Sequence, residues 1–209
     1  MDLFEKLFPK RVYWKREGQR QIEIFDNGKE LIFKYNGITY SAINKKSVYT
    51  HQYWDYLLPP IFAFPNPHVL LIGLGGGTIP FQLQKLLGDK MQLEVVESDK
   101  LVTEACKAFL PEPLNAKIIS QDGFEFVKET SEKYDVVILD AYVDTKIPDN
   151  FITQEFVSHT YRILNDKGVF ATNFAMSFMG FLAYSRYVSL LGAKFSVYQA
   201  RAAITEGNM

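Results

Sequence analysis

The stretch His68-Val69-Leu70-Leu71-Ile72-Gly73-Leu74-Gly75-Gly76-Gly77-Thr78 constrains this chain more than any other. An apolar run feeds a glycine cluster, and a helix-like segment from Ile79 to Leu87 follows. That is strand, tight turn, helix. Such a turn lets a ligand approach bare backbone, and the helix start offers free N–H groups at a positive dipole end. Downstream, Met91-Gln92-Leu93-Glu94-Val95-Val96-Glu97 reads as a second strand ending in an acid. A carboxylate there suits the two hydroxyls of a ribose, which need acceptors. A nucleoside-bearing cofactor is therefore expected, held by Gly73, Gly75, Gly76 and Gly77 and by Glu97.

The chain has 209 residues, 47% of them hydrophobic, enough for one large domain or one domain with a small appendage. Net charge is −1, so binding to nucleic acid through phosphate neutralisation is not expected. No apolar run reaches the length of a membrane span, and Met1 to Lys10 has no signal-peptide core. The single cysteine, Cys106, fits a reducing, cytoplasmic setting and reads as a core filler. His51, His68 and His159 stand apart without ligand spacing, so no metal is expected.

Pro59-Pro60 and Pro65-Asn66-Pro67 divide the chain. Residues 1–60 are expected to form a small antiparallel sheet over about 11–43, with hairpin signals at Asp26-Asn27-Gly28 and Asn36-Gly37. A connecting helix from Ser47 to Leu58, capped by Ser47, follows. Trp14, Tyr53, Trp54 and Tyr56 are read as packing between the two parts, with an exposed interface as the other use. Residues 61–209 alternate. Strands are expected at 68–73, 91–97, 116–120, 134–140, 167–174 and 194–200. Helices are expected at 78–87, 100–110, 123–131, 151–164 and 175–191. This is an α/β fold with a mainly parallel sheet, helices on both faces and a ligand crevice at the carboxyl ends of the strands.

Two further acids close strands at that edge. Asp122 precedes Gly123 at a helix start, where it caps the helix or accepts from an adenine amino group. Asp140 ends the apolar run Tyr134-Asp135-Val136-Val137-Ile138-Leu139. A carboxylate at such a place must be solvated, paired or used. A pairing with Lys146 is one reading. The other makes it the group that orients an amine and takes its proton. Asp144 lies in an irregular segment ending in Lys146-Ile147-Pro148-Asp149, suited to a lid. Asp149 or Asn150 is expected to cap the next helix.

The spacing Gly73, Gly75, Gly77, with Thr78 at the sixth position, resembles the first motif of the Rossmann-like class I methyltransferase fold rather than a nicotinamide fingerprint. With Val96-Glu97-Ser98-Asp99, Gln121-Asp122-Gly123-Phe124 and Tyr134 to Asp140, the chain resembles the spermidine synthase family of aminopropyltransferases, in a divergent, spermidine-synthase-like form. The resemblance implies S-adenosylmethionine or its decarboxylated form as cofactor, without metal. It assigns the ribose to Glu97, the adenine side to Asp122 and Gly123, and the catalytic base to Asp140. Tyr49, His51 and Asp144 would line the acceptor side, the acceptor would be a small-molecule amine, and the protein would be a homodimer.

Three positions depart from the family's pattern. The aspartate that holds the cofactor's free amine is Gly76 here, a second acid after the base is Val143, and an acid after the pocket tyrosine is His51. Loss of the first removes the repulsion that excludes a carboxylated cofactor. A methyltransferase using S-adenosylmethionine is therefore the alternative, with room for the carboxylate at Gly76. A catalytically degenerate binding or assembly protein is a further one.

Overall fold

The computed structural model describes residues 9–143, 146–174 and 181–198. Four antiparallel strands come first: β1 (Lys10–Glu17), β2 (Arg20–Asp26), β3 (Glu30–Tyr35) and β4 (Ile38–Asn44). Alternation sorts their side chains. Ile22, Ile24, Phe33 and Ile43 face inward. Asn36 and Gly37 both take positive φ, the geometry a two-residue hairpin turn requires.

Two short 3-10 helices, Tyr53–Leu57 and Pro59–Ala63, lead into the second sheet. It comprises β5 (His68–Ile72), β6 (Gln92–Glu97), β7 (Lys117–Ser120), β8 (Tyr134–Leu139) and β9 (Leu164–Thr172). All pairs are parallel, in the order β7-β6-β5-β8-β9. The helices between them are α1 (Thr78–Leu87), α2 (Lys100–Phe109), α3 (Gly123–Glu129), α4 (Gln154–Ile163) and, after β9, α5 (Phe181–Gly192). Strands buried on both faces give two cores. Val69, Leu71, Val95 and Ile138 pack toward α1 and Trp54. Leu70, Ile72, Val137 and Leu139 pack toward Val127 of α3 and Phe156 of α4. The order reverses at β5, so the chain ends of β5 and β8 flank the switch point where such sheets bind ligands.

Three expectations fail. Residues 47–58 do not form one helix. The carboxylate of Asp55 accepts from the backbone N–H groups of Thr50 and His51, at 3.1 and 2.7 Å, and from the Thr50 hydroxyl, which turns the chain. Ser47 accepts from the Tyr49 N–H inside a local turn instead of capping a helix. The helix expected at 151 opens as a 3-10 turn, Asp149–Phe151, and α4 is capped by Thr153, which accepts from the Phe156 N–H. Lys194–Tyr198 is not a strand, because the N–H groups of Lys194 and Phe195 fold back onto the Leu191 carbonyl. Residues 175–180 and 199–200 lie outside the described residues. No described helix is long and apolar enough to cross a membrane.

Candidate active site

The N-terminal sheet docks onto the glycine turn. Its inner face packs on Leu101, Val102, Ala105 and Phe109 of α2. The hydroxyl of Thr78, at the start of α1, accepts from the Ala42 N–H (3.1 Å) and donates to the Ala42 carbonyl (2.9 Å). Asp99, the N-cap of α2, accepts from Arg20 at 2.9 Å and from the Tyr35 hydroxyl at 3.0 Å. Between this sheet and the carboxyl ends of β5–β9 lies a cavity of about 1450 Å³.

Its floor is the turn after β5. Gly73 has φ +97°, and a Cβ there would stand 2.5 Å from the Asp140 carbonyl oxygen. Glu97 closes β6 and is tied to this turn. Its Oε2 accepts from the Leu74 N–H at 3.0 Å and its Oε1 from the Asp99 N–H at 2.8 Å. Burial pushes its carboxyl above the usual range, while those N–H groups pull the other way. The Gly75 N–H adds a third backbone hydrogen bond to this carboxylate, which leaves acceptor capacity for one further donor. Asp122 follows β7, is exposed, and caps α3 through Oδ1, which accepts from the Phe124 and Glu125 N–H groups. Its Oδ2 accepts nothing among the described residues. Asp122→Ala is expected to cost about 1 kcal/mol of stability, measured by urea unfolding, and to weaken adenosine binding in the same preparation.

Asp140 sits where β8 ends, its N–H bonded to the Ile72 carbonyl at 2.9 Å. Its Oδ1 makes a long contact of 3.5 Å with Asn173 Nδ2, past the end of β9. Enclosure by protein pushes its carboxyl up to about 7, against hydrogen bonds from Asn173 and Trp54. No ion pair with Lys146 forms among the described residues. Tyr53 lies beside it. Burial, then the Asp140 and Tyr142 charges, hold the Tyr53 phenol well above its ordinary value. The Tyr142 hydroxyl donates to the Asn173 carbonyl.

Gly73, Gly75, Glu97, Asp122, Gly123 and Asp140 are thus brought to one cavity. Gly76 and Gly77 are not on its wall. The Gly76 N–H is bound by the Ser41 hydroxyl at 2.8 Å, and a Cβ on Gly77 would stand 2.9 Å from Cys106 Sγ. The space beside Gly76 is not vacant, as the carboxylate reading requires: a Cβ there would lie 2.8 Å from Ser41 Cβ and 2.9 Å from the Phe109 ring. Tyr49 and His51 are exposed and are not among the residues lining the cavity. Asp144 lies outside the described residues. Val143 pairs with Lys146 in a two-way backbone bridge within the segment read as a lid. Burial pushes the Cys106 thiol up to about 12, which suits a core filler rather than a nucleophile.

Ser41 is the wall residue that sequence reasoning missed. It lies in an alternating strand with no motif, so no local signal marks it. Trp54 is buried as packing requires, whereas Trp14 and Tyr56 are half exposed.

A match to the spermine/spermidine synthase domain covers residues 58–198. The chain belongs to the spermine/spermidine synthase family. It is 33% identical over 171 residues to the polyamine aminopropyltransferase of Methanocaldococcus jannaschii, covering 76% of this chain and 55% of that one. It is 26% identical to the spermidine synthase of Thermotoga maritima, with a TM-score of 0.69 over 89% of this chain and 64% of that one. Human methyltransferase-like protein 13, solved with S-adenosylhomocysteine, is 25% identical, with a TM-score of 0.58 over 72% of both chains. Family membership and these neighbours place the chain on the Rossmann-like class I methyltransferase fold. The chain spans about half or less of the length of the first curated relatives it matches.

Proposed function

We propose that this protein transfers an aminopropyl group from decarboxylated S-adenosylmethionine to a small-molecule amine. The charge of the cavity carries the reading. Its lining includes the carboxylates of Glu97, Asp99, Asp122 and Asp140 and, among the described residues, no lysine, arginine or histidine. Such a wall attracts cations and offers a ligand carboxylate no cationic side chain. Decarboxylated S-adenosylmethionine carries a sulfonium and an ammonium and lacks the carboxylate, and the acceptor is itself an amine. The residues present therefore fit this cofactor. A side chain at position 76 would meet Ser41 and Phe109, so that position faces packed protein and not the cavity.

Glu97 would take the ribose and Asp122 the adenine side, placing the reacting end at Gly73 and Asp140. When bound, the cofactor supplies an electrophilic carbon next to its sulfonium. Asp140 would orient the acceptor amine toward it and take the proton released as the C–N bond forms and the C–S bond breaks, the adenosyl thioether leaving as a neutral product. Asn173 and Trp54 fix that carboxylate, and Tyr53 covers it. Direct displacement of this kind needs positioning and exclusion of water more than covalent catalysis.

Calorimetric titration tests the choice of cofactor. Decarboxylated S-adenosylmethionine is expected to bind at least about tenfold more tightly than S-adenosylmethionine, the equivalent of about 1.4 kcal/mol. The reverse order would make the protein a methyltransferase candidate instead.

A further inference from the structure

The cavity wall contributed by β4 holds a buried hydroxyl that the reaction above does not use. Ser41 is 2% exposed, yet it lines the cavity. Its Oγ accepts the Gly76 N–H at 2.8 Å, and no other hydrogen bond engages it among the described residues. One lone pair and the hydroxyl proton remain unassigned. A Cβ on Gly75 would lie 3.0 Å from this oxygen. The glycine turn thus runs from the Asp140 main chain at Gly73 to Ser41 at Gly75 and Gly76.

That course gives the two ends of the turn different tasks. The Gly73 end adjoins the carboxylate that faces the reacting carbon. The far end meets Ser41, where a short arm extending from sulfur, away from the ribose held by Glu97, has a polar group to reach. We propose that Ser41 Oγ accepts a hydrogen bond from the terminal ammonium of the adenosyl-sulfur cofactor, and so makes binding depend on that amine. Ser41 Cβ and the Phe109 ring occupy the volume that a side chain at position 76 would need. A side chain at position 76 and Ser41 in its present place exclude one another, so the polar contact comes from the N-terminal sheet instead of from the turn. Ser41 is then a specificity residue, and the inference rests on the proposed cofactor.

The test compares two ligands that differ in this arm and in the charge on sulfur. Binding of decarboxylated S-adenosylmethionine and of 5′-methylthioadenosine, which has no amine, is measured by calorimetry on the intact chain and on Ser41→Ala. The variant is expected to lose about tenfold for the amine-bearing ligand and less than about threefold for the other. Equal losses would show that Ser41 only supports the turn or touches the ribose, and would overturn the proposal. So would no loss for either. Ser41→Cys keeps the volume but accepts hydrogen bonds weakly. It is expected to show the same split should the alanine variant fail to fold. If the unaltered chain binds 5′-methylthioadenosine but not the decarboxylated cofactor, the proposed function falls and Ser41 with it. If it binds both and the variant does not separate them, only Ser41 falls.

Discussion

Asp140→Asn is expected to lower turnover by about 100- to 10,000-fold, the usual contribution of a positioned general base. Asparagine has the same shape and can still meet Asn173 and Trp54, so binding of the adenosyl-sulfur cofactor should stay within about threefold. Steady-state turnover at saturating cofactor, set beside calorimetric affinity, separates the two effects. Unchanged turnover would remove Asp140 from the chemistry.

The raised pKa of the Asp140 carboxyl adds a pH signature. A carboxyl held at about 7 is protonated below that pH and cannot accept a proton. The pH profile of kcat/KM should therefore rise through about pH 7 and reach a plateau above it. Stability runs the other way. The folded chain holds this proton more tightly than the unfolded chain, whose aspartate titrates near its ordinary value. The neutral carboxyl's contribution is complete below the unfolded value and is lost as pH rises through about 7. Asp140→Asn should remove both the kinetic limb and this part of the stability slope.

Gly73→Ala is expected to be the most damaging added methyl group among the described glycines. The residue has φ +97°, which L side chains rarely adopt. Its Cβ would stand 2.5 Å from the Asp140 carbonyl oxygen and 3.0 Å from Ala141 Cα, both backbone atoms. Flexible side chains can rotate away from such a contact. Here β5 must separate from the segment after β8. A loss on the order of 3 kcal/mol is expected, read as a lower urea midpoint. Cofactor binding should vanish in whatever fraction stays folded. Gly18→Ala is the control. That glycine has a similar positive φ, +61°, but nothing lies within 4 Å of its would-be Cβ, so only the conformational strain should appear.

Much of this was legible in the residues. The five parallel strands were readable because each is a short apolar run bounded by turn chemistry, and Glu97, Asp122 and Asp140 because carboxylates at strand ends stand out from such runs. The connecting segment at 47–58 was not. Its apolar and aromatic residues read as a helix, but the outcome was set by Asp55 capturing two backbone N–H groups, a contact that propensity does not encode. Residues 194–198 misled for a related reason: a strand-like composition gave way to a local carbonyl bond at Leu191. Ser41 could not have been found. Its place on the cavity wall depends on the docking of one sheet against a turn 35 residues away, and no spacing rule spans that distance. Of the glycines, Gly73 and Gly75 line the cavity, while Gly76 meets Ser41 and Gly77 packs against Cys106, contacts that the glycine spacing does not encode.

The reciprocal pair of bonds between Thr78 and Ala42, with Asp99 held by Arg20 and Tyr35, has one more effect. The matched family region begins at residue 58, yet one side of the binding chamber is contributed upstream of it. A fragment trimmed to that region would keep every strand of the parallel sheet and still present an open trough in place of the enclosed cavity. Strands β1 to β4 are in this sense the roof of the chamber.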